Sequence, residues 1–294
     1  VPVISRMIAI SRGSAGRKRG VNPIDPIAPP TSAESAGSVP IQNANITVTE
    51  GLEFGRYETL FRLGTGGMAE VFVARLRGEA RFTRLVALKH PLPHLARDAR
   101  YVERFLDEAR VGACVQHANV VQTLDVGMTD DAEPYLVLEL VVGMSLDRVL
   151  KRGALPHAIA AAWLAEAAEG LDAAHRAQSS AGEPLGLVHR DVSPHNLLVG
   201  LDGATRIGDF GIAQAGLLKD ARTPTGLVTG KLAYFSPEQA RGERLDARAD
   251  VFSLGIVAWE ALTGRRLFAA ASPALVMDRV RGLRMQSPRE FVPD

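Results

Sequence analysis

Residues 188–199 read VHRDVSPHNLLV, and residues 206–213 read RIGDFGIA. The first stretch is a polar loop that carries Asp191 and Asn196 and runs into an apolar strand. Asp209 lies thirteen residues beyond Asn196. A carboxylate and a carboxamide brought together offer oxygen ligands to Mg²⁺, an ion held by few protein groups plus nucleotide phosphates. Asp191 is then left to orient an incoming hydroxyl and take its proton.

The segments before this loop read as a small sheet. YETLFRLGTGGMAEVFVARL, from Tyr57, is two alternating strands around a glycine-rich turn. Gly64 and Gly66 allow a phosphate close to the backbone. No Lys-Ser/Thr pair follows, so the turn is not a P-loop. LVALKHP adds a third strand, with Lys89 set among apolar residues. A lysine in a sheet interior needs an anion to offset its desolvation. Residues 98–114 carry apolar side chains at helical spacing, with Glu108 among them. That carboxylate is placed to pair with Lys89. VVQTLDVGMT and PYLVLELVV complete the strands. After Gly143 the pattern is helical: a long alanine-rich amphipathic helix, then DVFSLGIVAWEALTG, largely apolar and closed by a glycine.

Composition narrows the function. The 294 residues hold 34 Lys+Arg against 33 Asp+Glu, a net charge of +1. That balance argues against general nucleic-acid binding, which needs a basic field. The lone Cys114 excludes an internal disulfide and an all-cysteine zinc site, and is expected to be a small core residue. No apolar run reaches the roughly 20 residues that span a bilayer, so a cytoplasmic location is expected unless an anchor lies beyond residue 294. Residues 1–55 are rich in Pro, Ser and Ala and read as a disordered leader. The rest divides into a first lobe, 56–141, and a second, 142–294.

Taken in order, these motifs resemble a bacterial, eukaryotic-like Ser/Thr protein kinase. The ordered set runs from the glycine loop through VALK, the helix glutamate, HRDVSPHN and DFG to SPE at Ser236–Glu238 and DVFSLG at Asp250. The resemblance spans residues 57 to about 280. It implies an α+β, two-lobed kinase fold: a small antiparallel-sheet lobe with one helix, and a mainly helical lobe. The implied substrates are ATP and a protein Ser/Thr hydroxyl, with Mg²⁺ and a homodimer for autophosphorylation among the partners. Gly64, Gly66 and Gly67 would cover the triphosphate, and Lys89 would hold its α- and β-phosphates. Leu63, Val71, Ala87 and Leu198 would sandwich the adenine. Glu139 and Val141 would offer backbone groups to its polar edge. Asp250 would brace the catalytic loop, with His189 structural. Thr223 and Thr225 match the usual autophosphorylated pair, for which Arg190 would be the phosphate partner.

The chain departs from that pattern in three places. Family members usually carry a lysine two residues after the catalytic Asp and a contacting threonine near SPE. Here those positions are Ser193 and Lys231. The exchange leads to the expectation that Lys231 reaches back and supplies the missing cation, which makes it a catalytic candidate. The C-terminal lobe is expected to be truncated, since two further helices and the arginine that pairs with Glu238 would follow, which would leave Glu238 a poorly compensated buried carboxylate. Ala69 replaces a glycine with little expected effect. The alternatives to an active kinase are a nucleotide-binding pseudokinase acting by docking and a small-molecule phosphotransferase of the same fold. Intact Lys89, Asp191, Asn196 and Asp209 oppose the first, and the long activation segment opposes the second.

Overall fold

The computed structural model describes residues 51–79, 82–210 and 228–292, with backbone alone at 228 and 229. Its first layer is a six-stranded antiparallel sheet: β1 (Glu53–Phe54), β2 (Tyr57–Thr65), β3 (Ala69–Arg77), β4 (Thr83–Pro91), β5 (Thr123–Met128) and β6 (Pro134–Leu138). The strand order is β1-β2-β3-β4-β6-β5. β1 falls within the stretch read as a leader. Phe54 is nevertheless buried against Phe72, Tyr135 and His90. Two residues paired across a tight turn are too short to carry a readable alternation.

After the short helix α1 (Pro93–Ala96) comes α2 (Ala99–Ala113). It begins where it does because Asp98 caps it, accepting from the amides of Arg100 and Tyr101. Its buried face is Tyr101, Phe105, Glu108, Ala109 and Gly112. Phe105 has no exposed surface, and truncating it to alanine would cost about 3–5 kcal/mol. Gly112 lets α2 approach β5: a Cβ there would lie 2.7 Å from Thr123 Oγ1.

The second layer opens with β7 (Gly143–Ser145), α3 (Leu146–Leu150) and α4 (His157–His175). β7 pairs with β8 (Leu197–Gly200), which pairs with β9 (Thr205–Ile207). The chain continues through α5 (Val228–Leu232), α6 (Pro237–Arg241), α7 (Ala247–Thr263) and α8 (Pro273–Arg281), then a 3₁₀ turn at Pro288–Glu290. α7 starts at an Asp246 cap and stops at Gly264, whose φ of 67° is the left-handed C-cap geometry. Ile256, Val257 and Ala261 of α7 join Ala160, Ala167 and Leu171 of α4 in the largest core cluster. The antiparallel sheet lobe and helical lobe expected from sequence are therefore present.

Two expectations change. Cys114 is exposed, because it stands at the C-cap of α2, past the turn that faces the sheet. Glu238 is half-buried rather than buried, in the first turn of α6, so its charge keeps contact with water.

Candidate active site

The catalytic loop is built by main-chain hydrogen bonds to one side chain. Asp250, in the first turn of α7 and 1% exposed, accepts from the His189 amide at 2.7 Å and the Arg190 amide at 2.8 Å. His175, at the end of α4, reaches the same carboxylate with Nε2 at 2.7 Å. Arg190 adopts a φ of 68°. A left-handed non-glycine residue is strained and persists only where its surroundings fix it. His189 is buried, with Nδ1 accepting from the Asp191 amide at 3.3 Å and Nε2 facing Gly208 O at 3.0 Å. That pair of contacts requires the tautomer protonated at Nε2. The ring acts as a spacer between the two motif stretches.

Asp191 emerges from this frame, 5% exposed. Asn196 Nδ2 donates to its carbonyl at 2.7 Å and to Oδ2 at 2.8 Å. The Gly208 amide donates to Asn196 O at 2.9 Å, which sets Asp209 one residue away. Asp209 too is left-handed, with φ 57°. Its Oδ1 lies 2.9 Å from Lys89 Nζ, and the same ammonium lies 2.8 Å from Glu108 Oε1. Lys89 thus sits between two carboxylates, one from α2 and one from the loop after β9. Burial alone would lower its affinity for a proton, but Asp209 and Glu108 outweigh that and hold it raised. Lys89 in turn holds Asp209 below the usual carboxylate range, against the opposing effect of burial.

Lys231, on α5, places Nζ 2.5 Å from Asp191 Oδ2. The exchange of Ser193 and Lys231 therefore has a structural counterpart: the lysine of α5 meets the Asp191 carboxylate. α5 is anchored by the buried run Leu232–Ser236, by the Tyr234 hydroxyl on Glu260, and by Gln239, which donates to Arg190 O at 2.8 Å.

The nucleotide candidates lie on β2, β3, β4 and β8 and in the connections beside them. Val71 pairs across the sheet with Lys89, and Val73 with Ala87. Ala87 is 8% exposed, Leu63 is exposed at the end of β2, and Leu198 is half-buried on β8. Gly64 is near the end of β2, opposite Val71, and Gly66 and Gly67 lie in the turn to β3. The Glu139 amide is spent on Gln122 O at 2.9 Å, so its carbonyl is the group left to offer. Val141 follows in the connection to β7, half-buried. A cavity of about 450 Å³ contains Glu139 and Arg206 but none of the catalytic candidates. Thr223 and Thr225 lie outside the described residues.

Mg²⁺ fits what is present. One carboxylate and one amide oxygen form a hard-oxygen donor pair that needs phosphates and water to complete its shell. Among the described residues no three acidic, histidine or cysteine side chains gather as a metal cage. Asn196 spends its amide nitrogen on Asp191, which leaves its oxygen for the ion.

Three functional contacts escaped sequence reading: the His175–Asp250 pair, the Gln239 clasp on Arg190, and the Tyr234–Glu260 pair. His175 and Asp250 are 75 residues apart, and no local pattern announces the contact.

The buried histidines set an acid limit. Burial holds His189 and the half-buried His90 below the ordinary histidine range. Unfolding returns each to about 6.5. Below that pH the unfolded chain binds protons the folded chain refuses, so stability falls with pH. The melting midpoint is expected to drop between about pH 7 and about 5.5. A flat midpoint across that range contradicts the assignment.

The family described as protein kinase domain matches residues 57–288. The chain is 40% identical over 246 residues to tyrosine-protein kinase MasK of Myxococcus xanthus, covering 82% of this chain and 38% of that protein. It is 40% identical over 225 residues to serine/threonine-protein kinase PknB of Mycobacterium leprae, covering 75% and 34%. The chain thus spans little more than a third of the length of these relatives. The crystal structure of the Mycobacterium tuberculosis PknI kinase domain superposes with a TM-score of 0.61 at 25% identity, covering 85% of this chain and 86% of that one.

Proposed function

The chain belongs to the protein kinase family, and on that premise we propose that it transfers the γ-phosphoryl group of ATP to a Ser or Thr hydroxyl of a protein. The observation that carries this reading is the joined set Glu108–Lys89–Asp209 and Asn196–Asp191–Lys231. Leu63, Val71, Ala87 and Leu198 enclose the adenine, and Glu139 O with the Val141 backbone meets its edge. Gly64, Gly66 and Gly67 cover the triphosphate, and Lys89 holds its α- and β-phosphates. Asp209 and Asn196 Oδ1 would hold Mg²⁺, which would screen phosphate charge. The acceptor oxygen attacks the γ-phosphorus, the bridging P–O bond to the β-phosphate breaks, ADP leaves, and the acceptor proton passes to Asp191. Lys231 supplies the positive charge beside the transferring group that the family usually draws from the position of Ser193.

Ser/Thr acceptors follow the serine/threonine name of the PknB relative; the MasK name makes Tyr the comparison to run. Thr225, with Thr223 second, is the proposed autophosphorylation site, with Arg190 as its phosphate partner. The division into lobes 56–141 and 142–294 after a leader, a cytoplasmic location and a homodimer for autophosphorylation belong to the same reading. Among the described residues no helix is long and apolar enough to cross a membrane.

Incubation with radiolabelled ATP, Mg²⁺ and a general protein acceptor, followed by phosphoamino-acid analysis, is expected to show phosphoserine or phosphothreonine. Label on tyrosine alone, or none, contradicts the proposal. Lys231→Ala is expected to slow transfer about 10²–10³-fold, the scale of one lost transition-state donor. A variant as fast as the parent removes Lys231 from the mechanism.

A further inference from the structure

One carbonyl in the glycine turn ties three elements together. Met68 O, between Gly67 and Ala69, accepts from the Leu92 amide at 3.0 Å and from the Tyr101 hydroxyl at 3.2 Å. Leu92 directly follows β4, the strand that carries Lys89. Tyr101 stands on α2 seven residues before Glu108, and both lie on its buried face. Seven residues are close to two turns of helix, so the two side chains share one side of α2, about 10 Å apart along its axis.

The helix end of this tie is fixed by packing. Tyr101 is 3% exposed, and its ring stacks on Phe105 with centroids 6.3 Å apart. The Met68 side chain packs against the same cluster, which includes Phe105, Ala109 and Leu136. Burial pushes the phenol up to about 12, so the hydroxyl keeps its proton and stays a donor at neutral pH. Gly66 and Gly67 are exposed, and the Gly66 amide closes the turn on Ala69 O at 2.8 Å. The segment assigned to the triphosphate is therefore anchored through Met68.

A shift of α2 that parted Glu108 from Lys89, 2.8 Å apart here, would also carry the Tyr101 hydroxyl off Met68 O. Of its two donors the carbonyl would keep Leu92. We propose that Tyr101 is a positioning residue that couples the glycine turn to the Lys89–Glu108 pair, so that cover of the triphosphate and closure of the pair favour each other. By linkage the coupling runs both ways: nucleotide under the turn holds α2 in the paired position, and the paired position tightens nucleotide. This rests on the reading of the cleft as a nucleotide site.

The test reads binding and needs no turnover. The whole chain is titrated with Mg·ADP as the parent, Tyr101→Phe, Glu108→Gln and the double variant. Phenylalanine keeps the ring on Phe105 and removes the O–H alone. Tyr101→Phe is expected to weaken Mg·ADP about threefold to tenfold, the scale of one lost neutral hydrogen bond. In Glu108→Gln, where the ion pair is already broken, the same substitution is expected to change affinity by less than about twofold. A residue that only stabilised the fold would lower the melting midpoint and leave the two effects multiplying. With ATP and a protein acceptor, Tyr101→Phe raises KM for ATP by the same factor, with kcat within about twofold of the parent. A loss under about twofold for Tyr101→Phe alone, or effects that multiply in the double variant, overturns the proposal. If the parent still transfers phosphate, the kinase reading survives that result. A parent that binds Mg·ADP with the expected pattern but transfers no phosphate retires the kinase reading and leaves the coupling standing.

Discussion

The Asp191→Asn chain is expected to transfer phosphate about 10²–10⁴-fold more slowly than the parent, the scale of a lost general base. Its affinity for Mg·ATP should stay within about twofold, since the groups assigned to the phosphates and the ion are Lys89, Asp209 and the Asn196 oxygen. The substitution isolates chemistry from architecture. Asparagine keeps the shape of aspartate and one oxygen, so Asn196 Nδ2 and Lys231 Nζ still have an acceptor to meet. What it removes is the ability to take a proton. Radiolabel transfer and nucleotide titration on the same preparation check both halves. A variant that keeps more than about a tenth of the parent rate places the base elsewhere.

Much of this site was legible before any coordinates, for a physical reason. Asp191, Asn196 and Asp209 sit in short loops beside strands, and their spacing constrains which oxygens can meet. Lys89 announced itself by following the apolar run Val86–Leu88 on β4. Glu108 lay in the apolar stripe of α2, on the face the helix buries. Periodicity tells which face of an element is covered; it does not tell what covers it. That is why the sequence alone does not show His175 reaching Asp250. The strand order β4-β6-β5, in which β6 inserts between its predecessors, is likewise set by packing across the sheet. Lys231 was an intermediate case. The residue exchange suggested a direction for the side chain, and only the fold supplied the contact with Asp191.

Asp250→Ala is expected to cost the most stability of any single change at the site. The carboxylate accepts from two backbone amides, at His189 and Arg190, and meets His175. Alanine orphans all three groups. Each unsatisfied buried amide costs about 1–3 kcal/mol, so the two together cost about 2–6 kcal/mol. Native domains have only about 5–15 kcal/mol in hand, so a urea midpoint well below the parent's is expected, and refolding yields should fall with it. A loss under about 1 kcal/mol would show that water or a rearranged loop satisfies these amides. The change should also slow transfer at temperatures where the variant stays folded. Arg190 holds φ 68° only while its amide is fixed; released, it relaxes toward negative φ and turns Asp191 away from Asn196. Asp250→Asn keeps one acceptor oxygen but points an amide nitrogen at the other backbone N–H, so it should recover only part of the loss. An ordering in which Asp250→Asn is no more stable than Asp250→Ala would show that neither amide depends on the side-chain oxygens.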